Sequence, residues 1–394
     1  MKTFLLSFVL SAAALQAQIA VRGETVYTMA GSAIRNGVVL IRDGKIERVG
    51  TAAQVAIPGG YKIMTAKVVT PGLIDARSAL GLSGYLVQPH DQDQVERSSP
   101  MQPELRAIDA YNPREPLIGH VRGYGVTTIH TGHSTGILVS GQTMVVKSSG
   151  NSVEAALVKP EAMIAATLGS DGLVNEAGKS PGSRAKAIAM LRAEFLKAQE
   201  FDKKKDKTRD LRTEAFVRAL KGELQFLVQA HQAHDILTAI RLGKEFGLKM
   251  VLEGCAEAYL VMEQIKASGY PVILHPTMQR AGGDTGNISR ETAAKLRAAG
   301  IPFAIESGFE GYVPKNRVVL FEAGMAAANG LSFDNALASI TIDSARILGV
   351  ADRVGSLEAG KDGDIAMYDG DPFELTTHCV GVISDGKIVS EEKR

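Results

Sequence analysis

Four residues able to bind or move protons recur at regular spacing in the second half of the chain: His231, Glu253, His275 and Glu306, separated by 22, 22 and 31 positions. Each closes a short apolar run, the place where a buried β-strand would end. If those strands lie parallel in one sheet, the four side chains converge on one mouth. Neutral imidazole with carboxylate suits a divalent transition metal, and a nearby carboxylate suits proton transfer. The competing reading is that each residue only caps its strand through hydrogen bonds. A second group, His130-Thr131-Gly132-His133, follows the apolar run Val126–Ile129. Its two imidazoles would either grip one ion or ligand, or hydrogen-bond the tight loop around them. The glycine-rich stretch Gly282-Gly283-Asp284-Thr285-Gly286-Asn287 is expected as a loop over the mouth. It lacks the Lys-Ser/Thr step of a phosphate loop.

The elements that must position these residues are legible as alternating strands and helices. Strands are expected at Val68–Ile74, Val126–His130, Met144–Lys147, Ala162–Thr167, Leu224–His231, Leu248–Glu253, Tyr270–His275 and Ile301–Glu306. Amphipathic helices are expected at Ile236–Phe246, Ala256–Ser268 and Arg290–Ala299. Eight strand–helix units of this kind close a parallel barrel. The two ends of the chain read differently. Ile41-Arg42-Asp43-Gly44-Lys45-Ile46 is echoed by Ile383-Ser384-Asp385-Gly386-Lys387-Ile388, and Asp-Gly between alternating runs is a strong hairpin signal. The expected class is therefore α/β: a (β/α)8 barrel over residues 71–349, with a small composite β-sandwich from residues 18–70 and 350–394.

Composition narrows the class. The 394 residues are 45% hydrophobic and 22% charged, which excludes disorder, collagen and coiled coil. Lys and Arg total 44 against 43 Asp and Glu, so the charge makes no case for nucleic acid or an anionic membrane. Lys2, the apolar run Phe4–Leu15 and small Ala17 have the layout of a secretory signal peptide over residues 1–17, implying a secreted or periplasmic protein. No later run reaches the ~20 apolar residues of a membrane span. Cys255 and Cys379 lie 124 positions apart, too far for a CxxC motif, and are expected as buried thiols. The mixed-charge run Asp202–Arg212 is expected as a solvated helix end or loop.

Three stretches carry a family resemblance. They are Val69-Thr70-Pro71-Gly72-Leu73-Ile74-Asp75, the segment Phe226–Gly247 with Ala230-His231 and Asp235-Ile236, and the run Thr341–Gly349 continuing through Gly355–Asp364. Together they resemble the amidohydrolase superfamily, in its imidazolonepropionase-like branch. The resemblance implies a metal-assisted hydrolase barrel with a composite β-domain and a divalent metal, zinc first. It also implies that the Pro-Gly-Leu-Ile-Asp phrase leads into His-x-His, whose imidazoles hold the metal. Here those positions are Arg77 and Ala79, neither of which is able to ligate. The fifth-strand histidine is retained as His231. The sixth-strand histidine position falls on Glu253 or Gly254, and the eighth-strand aspartate on Gly308 or Glu306.

Two functions follow from that departure. One is an exported hydrolase of carbon–nitrogen bonds other than peptide bonds, with cyclic amides or dipeptide-like small molecules as substrates. Its metal would be relocated to His231 and His275, with Glu253 or Glu306 as the proton-transfer group. The other is a catalytically silent homologue that binds a small anionic ligand through Arg77, with His130 and His133 nearby, or that pairs with an active relative. Arg77 is equally readable as a salt-bridge partner of Asp75 or Glu96. The sequence leaves the choice between a homo-oligomer and such a pairing open.

Overall fold

The structure, a computed structural model, describes residues 18–86, 88–173, 180–310 and 316–394. The leader expected over residues 1–17 lies outside them. The chain opens with β1 (Ile19–Val26), β2 (Ile34–Arg42), β3 (Lys45–Thr51) and β4 (Lys62–Pro71). The β2–β3 hairpin turns through Asp43 and Gly44, both at positive φ (52° and 80°), the primed turn that matches strand twist. β1 pairs antiparallel with β2 and parallel with β4.

The barrel strands follow: β5 (Leu73–Ser78), β6 (Val126–Gly132), β7 (Val139–Lys147), β8 (Leu157–Lys159), β9 (Met163–Thr167), β10 (Gln225–Ala230), β11 (Met250–Gly254), β12 (Val272–Leu274) and β13 (Phe303–Ile305). Their order is β13-β12-β11-β10-β9-β7-β6-β5, with β8 attached to β7. A bridge between Ser78 and Gly308 brings the two ends of this sheet together, so that it is nearly closed. The chain ends with β14 (Ile365–Tyr368), β15 (Cys379–Ser384) and β16 (Lys387–Ser390), which complete a seven-stranded sheet in the order β16-β15-β14-β4-β1-β2-β3. Among the described residues no helix is long and apolar enough to cross a membrane.

Two expectations are corrected. The run Val68–Ile74 is not one strand: β4 ends at Pro71 and β5 begins at Leu73, in different sheets. Gly72 makes the crossing, pressed so closely on Thr127 that a Cβ would stand 2.1 Å from its Oγ1. The third barrel strand is also not parallel, because β7 pairs antiparallel with both β6 and β9. Only residues 133–138 join β6 to β7, and a parallel return needs a crossover of a dozen or more.

Packing follows period and composition. The helix Arg184–Lys203 is capped by Ser183 and buries Ile188, Leu191 and Phe195 on one face. Phe195 meets the rings of Phe216, Phe226 and Phe246 at centroid distances of 4.9–5.5 Å. In the mixed-charge run, Asp210 caps the helix Leu211–Leu220 and Asp202 pairs with Lys207 and Lys221. The barrel floor is tied to the seven-stranded sheet by Lys147 at the end of β7. Its side chain is 1% exposed, with Nζ 2.6 Å from Asp364, 2.9 Å from Asp362 and 3.1 Å from Asp385. The Asp385-Gly386 turn between β15 and β16, again at positive φ, supplies the third carboxylate.

Candidate active site

Inside the barrel the period-two rule builds the site. Leu227, Val251, Ile273 and Ala304 form one apolar layer, with Ile74 and Ala76 beside them. Two residues further along each strand the same face presents Gln229, Glu253, His275 and Glu306. His231 follows one step above Gln229. All lie toward the C-terminal ends of β10 to β13, where barrel chemistry is placed. Arg77 joins them through a slip in the β5–β6 ladder between Asp75 and Ser78.

Arg77 is 3% exposed and fixed on several sides. One terminal nitrogen donates to the Ser78 carbonyl at 3.1 Å, and the other donates to the His133 carbonyl. Its Nε stands 3.6 Å from Glu253 Oε1 and makes no hydrogen bond among the described residues. The partner is thus neither Asp75 nor Glu96. Asp75 accepts hydrogen bonds from the Ser307 amide (3.1 Å) and hydroxyl, and Glu96 accepts from the Ser98 amide. Burial pushes the Asp75 carboxyl up to about 6, against the hydrogen bonds from Ser307.

The two glutamates differ in environment. Burial raises Glu253, while the Arg77 guanidinium beside it opposes the rise. Burial, reinforced by the charge of Glu253, holds Glu306 well above the usual carboxylate range, and its Oε2 has no partner among the described residues. Both carboxyls are raised, Glu306 further than Glu253, and Arg77 opposes the rise in each. His231 is pushed down to about 4 by burial and then by His275, and His275 is lowered by its own burial. Both rings are neutral at pH 7. His275 Nδ1 donates to the Pro276 carbonyl at 2.8 Å, which leaves a lone pair on Nε2 without a donor. His231 Nδ1 and Gln229 Oε1 are likewise buried without partners among the described residues. Arg77, Gln229, His231, Glu253 and Glu306 line one small pocket of about 60 Å³, room for about two waters.

The other predicted residues separate from this group. His130 is structural: its Nδ1 donates to the Ala76 carbonyl at 2.6 Å and its Nε2 faces Thr143 Oγ1 at 2.7 Å. Burial and the Arg77 charge push it down to about 3. Among the described residues His133 has neither ring nitrogen paired, and its ring lies so close to Gly141 that a Cβ there would stand 2.4 Å away. The two imidazoles therefore do not share an ion. The Gly282–Asn287 loop is anchored, since Asp284 accepts from the Ser170 amide and Asn287 donates to Glu257. Both cysteines are free and buried. Sequence reasoning missed Gln229, although an amide closing the apolar run Phe226-Leu227-Val228 was its signal. It also missed the Asp75–Ser307 pair, which joins residues 232 positions apart.

A divalent ion does not fit this donor set. Among the described residues no three His, Cys, Asp or Glu side chains are placed to share a metal. The first-strand position that would supply an imidazole supplies a guanidinium instead, and that cation already engages Glu253.

Comparison with known proteins gives a consistent picture. The model of an amidohydrolase family matches residues 307–390. An imidazolonepropionase from Rhizorhabdus wittichii is 26% identical, over 88% of this chain and 92% of its own length. Amidohydrolase tasK of Hapsidospora irregularis is 24% identical over 89% of this chain, which spans only 39% of that protein. Among solved structures, an amidohydrolase from Thermotoga maritima superposes with a TM-score of 0.89 at 28% identity, covering 95% of this chain and all of that one. An adenosine deaminase from Xanthomonas campestris, with bound zinc, superposes at 0.55 and 14% identity over 94% and 92% of the two chains, a likeness of fold alone.

Proposed function

The chain belongs to the amidohydrolase superfamily, in its imidazolonepropionase-like branch, and we propose that it hydrolyses a carbon–nitrogen bond of a small molecule by proton transfer between two buried carboxyls. The observation that carries this reading is the split environment of Glu253 and Glu306 beside Arg77. Two titratable groups pushed apart in this way are matched to act as base and acid.

Ionised Glu253 takes a proton from water as that water attacks the acyl carbon. The developing oxyanion faces Arg77 Nε, a donor left without a hydrogen bond among the described residues. Protonated Glu306 then delivers its proton to the leaving nitrogen as the C–N bond breaks. One water is consumed, and acid and amine are released. The two carboxyls have exchanged protonation states and reset through solvent. The unpaired acceptor Gln229 Oε1, on the pocket wall, is offered to an N–H group of the substrate. Cyclic amides and dipeptide-like molecules remain the first substrates to try, and the leader-like segment over residues 1–17 supports an exported enzyme.

The test is amine release from a panel of lactams, hydantoins and dipeptides. Wild type is expected to turn over at least one of them. Glu306→Gln, which mimics the protonated carboxyl without its acidity, is expected to lose about 10²–10⁴-fold in kcat with the fold intact. A rate unchanged by Glu306→Gln refutes the assignment. One specific observation favours a second reading: Arg77 and Glu253 fill the mouth with an ion pair. A wild type that binds panel members without turning any over establishes that silent, ligand-binding role instead.

A further inference from the structure

We propose that Arg77 is the resident cation of this barrel mouth, standing where a divalent ion would otherwise be held, and that its Nε–H receives the acyl or carboxylate oxygen of the ligand directly. The proposal rests on the reading of the mouth as the reactive site. Three observations carry it beyond the proton-transfer scheme.

The guanidinium is immobilised as a metal ion would be. Two of its nitrogens are spent on the Ser78 and His133 carbonyls, and its third faces Glu253. Those anchors come from its own strand β5, from the segment after β6, and from β11, so the group is held from across the mouth as well as by its own strand. Second, among the described residues Nε is the guanidinium nitrogen left without a hydrogen bond. An always-protonated donor of fixed direction is the side-chain equivalent of a Lewis acid aimed at one oxygen. Third, the groups that would serve an ion are diverted. Glu253 is engaged by Arg77, and Ala79 carries no donor atom. A dication placed among them would meet a buried positive charge with only one carboxylate free to answer it.

The full chain, purified without an affinity tag, is incubated with zinc chloride, dialysed, and its metal measured by elemental mass spectrometry. Wild type is expected to retain no zinc above the buffer blank. Retention of about one ion per chain overturns the proposal. In the same protein the Arg77 Nε–Hε resonance, identified by its loss in Arg77→Met, is followed by nuclear magnetic resonance as sodium acetate is added. A saturable shift supports the seat on Nε, and a resonance that does not move overturns it. Restoring both imidazoles with Arg77→His/Ala79→His is expected to convert the barrel into a zinc binder retaining about one ion per chain. A folded double variant that stays zinc-free overturns the claim that Arg77 stands in the place of the ion. If that variant fails to fold, the two wild-type arms decide alone. Turnover enters none of these readouts, so they fail separately from the hydrolase reading.

Discussion

Replacing Lys147 by Met removes a fully buried cation that binds the barrel to the seven-stranded sheet. Nζ touches three carboxylates within 3.1 Å, and two of their side chains, Asp362 and Asp364, are only 2–3% exposed. Asp362 keeps Lys45 and Arg353 after the substitution. Among the described residues Asp364 then keeps Thr127 Oγ1 and the Asp385 amide but no cation. Stranding one buried carboxylate this way costs about 3–5 kcal/mol. Asp364→Asn costs less, about 1–3 kcal/mol, because Lys147 retains two partners. The double variant Lys147→Met/Asp364→Asn removes the stranded charge, so it is expected to be more stable than Lys147→Met alone, with a coupling of about 1–3 kcal/mol. Urea unfolding followed by circular dichroism, with midpoints and slopes for the four proteins, reads these differences. The acid limb gives an independent check. Burial raises Asp362, but Lys147 and its other cations outweigh that and hold it below its ordinary value. Its stabilisation is present above the unfolded value and lost as pH falls through the depressed folded one. Lys147→Met should therefore flatten the acid limb. A Lys147→Met protein within about 1 kcal/mol of wild type, or a double variant no better than the single, refutes the reasoning.

Two further outcomes are expected besides those stated for Glu306, Arg77 and Ala79. Asp75 is held up at about 6 in the fold against an ordinary 3.8. A raised acid stabilises the fold below its unfolded value, and the benefit is lost as pH rises through the folded one. Stability should therefore fall by up to about 3 kcal/mol between pH 4 and 6. Asp75→Asn should remove that slope in denaturation curves across the range, and an unchanged slope would assign it elsewhere. Phe195→Ala opens the aromatic cluster under the helix Arg184–Lys203 and is expected to cost about 3–5 kcal/mol in the same assay. A loss under about 1 kcal/mol would mean the cluster does not hold that helix in place.

The parts of this molecule written in local pattern were legible in the sequence. The two Asp-Gly turns need positive φ, and alternation along Leu227–His231 or Val251–Glu253 assigns residues to the barrel interior. The direction of β7 was not legible. Val139–Lys147 is buried along its whole length, and a strand covered on both faces reads the same in either direction. Only the shortness of its link to β6 betrays the reversal. The convergence of His231, Glu253, His275 and Glu306 followed from spacing, but the partners that tune them did not. Arg77 reaches Glu253 because the β5–β6 register slips, and Ser307 reaches Asp75 because the sheet nearly closes. Both facts belong to pairing between distant segments. The same holds for His130, readable in the sequence either as a ligand or as a hydrogen-bonding group of its loop, whose ring nitrogens meet Ala76 and Thr143 on other strands.

The seven-stranded sheet also sets a timetable for synthesis. β4 is paired on one side by β1, which precedes it, and on the other by β14, where Ile365 meets Pro71 across 294 positions of sequence. At about 5–20 residues per second, the edge of β4 waits about 15–60 s for its partner. Throughout that interval the whole barrel must emerge while a twisted sheet with an open hydrogen-bonding edge stands beside it. The glycines that close the structure meet last: Gly363 donates to Gly44 and Gly386 donates to Gly363, at 2.8 and 3.0 Å. A nascent chain halted before Gly363 would therefore carry a barrel without its clasp and a sheet ready to pair with a neighbouring nascent chain.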